Sequence, residues 1–113
     1  MQGAIIYTWT GAIPGRELDS KAVMEASDAF YDQLMAEGRI VGHDWYLSTQ
    51  GGHNLMIVRG AMDKLAGILA DPDLMDLNTK AGIAMEHLSW ALYATGDSVP
   101  HMAETYFETA ALL

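Results

Sequence analysis

Residues 4–9, Ala-Ile-Ile-Tyr-Thr-Trp, carry apolar side chains at both odd and even positions. That pattern predicts a central strand covered on both faces. From Glu17 to Glu37 the period lengthens to that of a helix. Val23, Ala26, Phe30 and Leu34 form one stripe, broadened by Ala22, Ala29 and Tyr31, with Lys21, Glu25, Asp28 and Asp32 expected on the solvent side. Gly38 suits a left-handed helix cap. A second strand is expected over 40–49, where His43, Trp45 and Leu47 alternate with Asp44, Tyr46 and Ser48. Gln50-Gly51-Gly52-His53 reads as a hairpin turn. The third strand, Asn54 to Arg59, sets Leu55, Ile57 and Arg59 against Met56 and Val58. A short helix over 62–70 carries Leu65, Ile68 and Leu69 and stops at Asp71-Pro72-Asp73. There Asp71 caps a further helical turn bearing Leu74, Met75 and Leu77, and Pro72 fits its first position, where no N–H bond is needed. The fourth strand is expected over 86–95. Leu88, Trp90, Leu92 and Ala94 lie on one face, and His87, Ser89, Ala91 and Tyr93 on the other. Ser98 and Pro100 open a last helix that runs to about Ala111.

The order is β-α-β-β-α-β with a C-terminal helix. This is the split βαβ, or ferredoxin-like, pattern of the α+β class: a four-stranded antiparallel sheet with its main helices on one face. The 113 residues are expected to form one domain, 1–113, large enough for a core without metal or disulfide staples.

The segment Thr8 to Leu18 contains Gly11, Pro14 and Gly15, which raises the question of a phosphate-binding loop. Such a loop needs Lys-Ser or Lys-Thr after its second glycine. Here Gly15 is followed by Arg16-Glu17. The glycines are better explained as turns out of the strand, Glu17 as a favourable charge at a helix start, and Arg16 as half of a surface ion pair.

The net charge of −9 argues against nucleic acid and against anionic membrane surfaces. Of six basic residues only Lys80 lies beyond Lys64, so there is no basic stripe. No cysteine is present, which removes disulfides and thiolate chemistry. No signal-like N-terminus and no membrane-length apolar run is visible, and a cytoplasmic location is the expectation.

The string W-x-G-x-x-P-G-R-E is followed by a long helix ending F-Y-x-x-L-x-x-x-G-R-I, then by G-G-x-x-x-x-x-V-R-G-x-x-x-K-L and D-P-D-L. Together these resemble small bacterial proteins of the dimeric α/β-barrel superfamily, which includes the antibiotic-biosynthesis monooxygenase, EthD-like and YCII-related groups. The resemblance runs from Ala4 to about Tyr106. It implies a dimeric barrel and a ligand cavity between the sheet and the helices of each subunit, where Trp and Tyr side chains hold flat apolar substrates. In the oxygenases of that superfamily it implies a substrate anion that activates oxygen itself, without a cofactor. The fold hosts several chemistries, so it does not choose among them.

His43 and His87 share strands with aromatic residues and are the candidate general bases, with buried core histidines as the plainer alternative. His43 and Asp44 are adjacent on a strand and point to opposite faces, so they cannot form a mutually bonded pair. Tyr7, Trp9, Trp45, Trp90 and Tyr93 are the candidate pocket-lining residues. No histidine pair has the i, i+4 spacing of a helical metal site and no carboxylate-rich cluster is evident beside the histidines, so neither metal nor cofactor is expected. The candidate functions are a cofactor-independent enzyme, of monooxygenase or isomerase type, acting on an aromatic or apolar metabolite, and a non-catalytic ligand-binding or accessory dimer. A homodimer is expected because helices cover one sheet face only. The apolar residues of the other face would exceed the patch a monomer normally exposes.

Overall fold

The computed structural model describes residues 1–113. In chain order the elements are β1 (Gln2–Trp9), β2 (Gly11–Ala12), α1 (Glu17–Ala36), β3 (Gly42–Tyr46), β4 (Asn54–Ala61), α2 (Met62–Leu69), α3 (Pro72–Ala84), β5 (Met85–Glu86), β6 (Ser89–Ala94) and α4 (Ser98–Ala111). The main sheet has the order β3-β4-β1-β6, antiparallel throughout, and β2 and β5 form a small second ribbon. The ferredoxin-like α+β reading holds.

Strand β1 is the hub, paired with β4 on one side and β6 on the other. Ile5 stands opposite Val58 and Leu92, and Tyr7 opposite Met56 and Trp90. On the next strand out, His43 faces Val58 and Trp45 faces Met56. Side chains alternate across a strand, so these residues share one face. Helices α1, α2 and α3 cover it, and their Val23, Tyr31, Leu34, Leu65, Ile68 and Leu74 join Ile5, Tyr7, Trp9, Met56 and Val58 in the core. Burying an aliphatic side chain of this size stabilises the fold by roughly 1.5–3 kcal/mol. The opposite face presents Ile6, Leu55, Ile57, Tyr46, Ala91 and Tyr93, and Tyr93 remains half exposed. Helix α4 packs chiefly on β6 and leaves Val99, Met102, Tyr106 and Phe107 exposed.

The ends of α1 follow local rules. Arg16 precedes its first turn and pairs with Asp19 at 3.2 Å on the surface. At the far end Gly38 has φ +72°, its N–H reaches the carbonyl of Met35, and that of Arg39 reaches Leu34. This pairing of the last carbonyls is a Schellman cap, which needs the left-handed glycine.

Four expectations need correction. The second strand is shorter than 40–49, because Leu47 onward belongs to the loop that turns at Gly51 and Gly52. The turn after Asp71 is a full helix, α3, whose Asn78, Ala81 and Ala84 pack inward; its small residues carry little periodic signal. The fourth strand is not continuous: it breaks at His87, whose φ of +54° ends the short β5 before β6 begins. His87 is therefore on a kink and not on a strand. Finally, Asp28 and Asp32 are not free on the solvent face of α1: about half exposed, both turn toward β3.

Candidate functional site

Between β1, α1 and α3 lies a small cavity of about 20 Å³. Its walls are mostly apolar and aromatic, with Tyr7, Trp9 and Trp45 from the sheet, Val23 from α1 and Met85 below; the polar groups are Tyr7, Ser27 and Asn78. Trp9 and Trp45 meet edge to face with centroids 5.9 Å apart. This is the geometry that the ring quadrupoles favour.

The polar end of the cavity is a hydrogen-bonded cluster. The Tyr7 hydroxyl donates to Oδ1 of Asn78 at 3.1 Å and lies 2.7 Å from the Tyr31 hydroxyl. The single Tyr7 proton is used on Asn78, so Tyr31 is the donor in the second bond. Removal from water raises the pKa of both phenols. For Tyr7 the bonds to Tyr31 and Asn78 oppose that rise without cancelling it; for Tyr31 the charge Tyr7 would carry adds to it. Both stay neutral donors. With its oxygen engaged by Tyr7, Asn78 keeps an amide NH₂ to donate.

Val23 has a second role. It also lines an outer groove of about 440 Å³ between α1 and α3, with Ala22, Ala26 and Leu77 as floor and Arg16 and Lys80 at the rim. Val23 thus borders both the inner cavity and a groove large enough for a metabolite.

The remaining expected site residues fall around this cavity. Trp90 packs against Tyr7, its ring tilted by 33° with centroids 5.9 Å apart, but is not part of the cavity wall. Tyr93 is on the opposite sheet face, paired in register with Ala4, so it cannot share a pocket with Tyr7. His87 projects into a separate open cleft of about 300 Å³, together with Thr10, His53 and Asn54. Trp9 borders both this cleft and the inner cavity. Thr10 Oγ1 donates to the Glu86 carbonyl at 3.3 Å and lies 3.0 Å from His87 Nδ1.

His43 does not line the cavity. Its ring packs 5.9 Å from that of Tyr31, and Nε2 bonds Oδ1 of Asp32 at 2.7 Å. Its other nitrogen, Nδ1, is buried without a hydrogen-bond partner and lies 3.8 Å from Oδ1 of Asp28. That same oxygen accepts the Trp45 indole N–H at 2.8 Å. Asp28, Asp32 and His43 bring their donor atoms within 4.8 Å of one another and are the residues that could hold a metal ion. A carboxylate cluster does accompany this histidine, contrary to the expectation from spacing. Asp44 points away and pairs with Arg59, as the alternation of β3 requires.

Sequence reasoning missed Tyr31, Asn78, Asp28 and Asp32 as site residues. The i, i+4 spacing of the two aspartates was the available signal for one pair.

No family profile matches the chain, and no curated protein matches it in sequence. Solved structures do match in shape. Rv0793 from Mycobacterium tuberculosis aligns with a TM-score of 0.68 at 19% identity, over 86% of this chain and 97% of its own. A mutant of SnoaB, a cofactor-independent oxygenase from Streptomyces nogalater, aligns at 0.66 and 15% identity, over 88% of this chain and 97% of its own. A dimeric protein of unknown function and ferredoxin-like fold from Bacteroides fragilis aligns at 0.60 and 12%, over 83% and 96%. The sheet order, the helices on one face and these likenesses agree, and the chain has the ferredoxin-like fold of this group of proteins.

Proposed function

We propose that this chain is a small-molecule-binding homodimer that receives an aromatic or apolar metabolite between β1, α1 and α3, and acts on it as a cofactor-independent enzyme of monooxygenase or isomerase type. The observation that carries the reading is the Tyr31–Tyr7–Asn78 cluster at the end of a cavity walled by two tryptophans. The Asn78 amide NH₂, left free and oriented by the Tyr31–Tyr7 chain of neutral phenols, is a donor suited to an oxyanion such as a phenolate or enolate. An apolar wall with a few convergent polar groups is the usual make-up of a ligand site. The fold shared with an oxygenase that works without a cofactor supports the same reading. The cavity of about 20 Å³ admits one water and no metabolite, so Val23 must yield toward the outer groove for a ligand to enter.

The homodimer follows from the open sheet face. Ile6, Leu55, Ile57 and Tyr93 would be covered by the same residues of a second copy, a self-complementary pairing. That a protein of this fold is described as dimeric supports it.

Of the two candidate bases, His87 is better suited, because it lines an open cleft that shares Trp9 with the cavity, whereas His43 is held between two carboxylates. One observation favours the second reading, a binding protein without catalysis: no carboxylate or imidazole lines the cavity itself.

The test is a titration of the purified protein with a panel of phenolic and polycyclic compounds, followed by tryptophan emission and oxygen uptake. A ligand is expected to quench saturably, and Tyr7→Phe to weaken it by about tenfold through loss of the bond that orients the Asn78 amide. Oxygen uptake or product formation that His87→Gln abolishes, with binding intact, assigns catalysis. Binding without turnover assigns the second reading. No quenching by any compound contradicts both.

A further inference from the structure

We propose that Asp28, Asp32 and His43 form a binding site for a divalent transition-metal ion, separate from the ligand cavity. The construction is simple. Asp28 and Asp32 lie one turn apart on α1, so their carboxylates emerge side by side. Strand β3 passes beneath and raises His43 between them. The three donor atoms all lie within 4.8 Å of one another. Nδ1 and the Asp28 carboxylate can be drawn onto one ion at metal–ligand distances near 2 Å with small side-chain movements, with Asp32 holding the ring from its other nitrogen.

The second observation is the state of the imidazole. The His43 side chain is only 5% exposed, and each of its nitrogens has a carboxylate beside it. The ring carries one proton when neutral. If that proton serves Asp32 through Nε2, at 2.7 Å, the buried Nδ1 lone pair then faces an Asp28 carboxylate oxygen at 3.8 Å with no donor between them. If the ring carries two protons, the Nδ1 proton still lacks a bond, because 3.8 Å exceeds hydrogen-bond range. A cation on the Nδ1 lone pair, shared with the Asp28 carboxylate while the Nε2 proton stays on Asp32, satisfies every one of these groups.

The surroundings fit. Asp28 and Asp32 are about half exposed, 48% and 56%, which leaves an approach from solvent and room for water ligands. The Trp45 indole N–H holds Asp28 in place at 2.8 Å, as partners of metal-binding carboxylates commonly do. The net charge of −9 favours cations over the whole surface. The imidazole, the Asp28 carboxylate and water ligands are a mixed nitrogen and oxygen set. It suits Zn²⁺, Mn²⁺ or Co²⁺ better than Mg²⁺, which prefers oxygen alone, or Cu⁺, which prefers sulfur.

The test uses the full chain without a histidine tag, stripped of metal with a chelator. Zn²⁺ and Mn²⁺ are titrated by calorimetry, and Co²⁺ is followed by its visible absorption and by the emission of Trp45, compared with Trp45→Phe. One ion per chain is expected, with visible Co²⁺ bands and a change in emission that Trp45→Phe removes. Asp32→Asn and His43→Gln should each weaken binding at least tenfold. Asp28→Asn and Asp32→Asn alter half-exposed groups, so they keep the test valid if His43→Gln fails to fold, with circular dichroism as the check. Absence of binding at 1 mM free ion (a ceiling of about −4 kcal/mol) by a folded chain overturns the proposal. So does binding that survives the Asp28→Asn/Asp32→Asn double variant, because the ion would then belong to His53, His87 or His101.

Discussion

At the scale of single residues, the buried pair Tyr7 and Tyr31 ties stability to pH. Both phenols have raised pKa values in the folded chain, chiefly through burial. In the unfolded chain they ionise near pH 10. Below that value the folded and unfolded states hold the same protons and the contribution is fully present. Above it the unfolded chain loses protons that the folded chain keeps, so stability falls as pH rises. Urea midpoints measured from pH 8 to pH 11 should decline above about pH 10. Tyr31→Phe should flatten that decline and cost about 1 kcal/mol at neutral pH for the lost hydroxyl bond. Equal declines in the two proteins would contradict the assignment. The candidate site was half legible at this scale. Tyr7, Trp9 and Trp45 announced themselves as aromatics on strands, all on the face that the alternation of β1 and β3 assigns to the core. Tyr31 read as the margin of a helical stripe, and Asn78 lay in a stretch with no pattern. Asp28 and Asp32 read as solvent-facing because charge usually marks the outer side of a helix; here a tryptophan and a histidine on the neighbouring strand draw them in.

At the scale of elements, the segments with a strong period were legible and those built from small residues were not. Strand β4 and helix α1 repeat their apolar positions clearly. Helix α3 buries Ala81, Ala84 and Asn78, which carry no clear apolar period in sequence, yet its start was marked by Asp71-Pro72. Asp71 Oδ1 accepts the Asp73 N–H at 2.8 Å, so the cap forms as its residues require. Asp71→Ala should cost about 1 kcal/mol in chemical denaturation, and a negligible change would mean that packing against α1 alone fixes α3. The kink at His87 had no sequence signature, because a left-handed residue here is not a glycine. His87→Gly relieves that backbone and His87→Ala retains it. The glycine variant is therefore expected to be the more stable of the two by roughly 1–2 kcal/mol. Equal stabilities would mean that the kink relaxes.

At the scale of the whole molecule, the alternation of β1 divides the labour of the sheet. Ile5, Tyr7 and Trp9 face the helices and the cavity, whereas Ile6 and its neighbours Leu55, Ile57 and Tyr93 face outward. The proposed dimer uses the outward face. Ile57→Glu, which buries a charge in that pairing, should convert a particle of twice 12.3 kDa into one of 12.3 kDa by light scattering. A wild-type chain that is already a monomer contradicts the dimer. The inward face carries the central claim, that a ligand sits against Trp9 and Trp45. The most direct test records the three tryptophan indole N–H resonances by nuclear magnetic resonance while the best phenolic ligand of the panel is added to saturation. The expected result is that the Trp9 and Trp45 signals shift together along one binding curve, with Tyr7→Phe weakening it. Unmoved Trp9 and Trp45 signals, with shifts confined to Ile57, Tyr93 or the exposed residues of α4, would contradict the account.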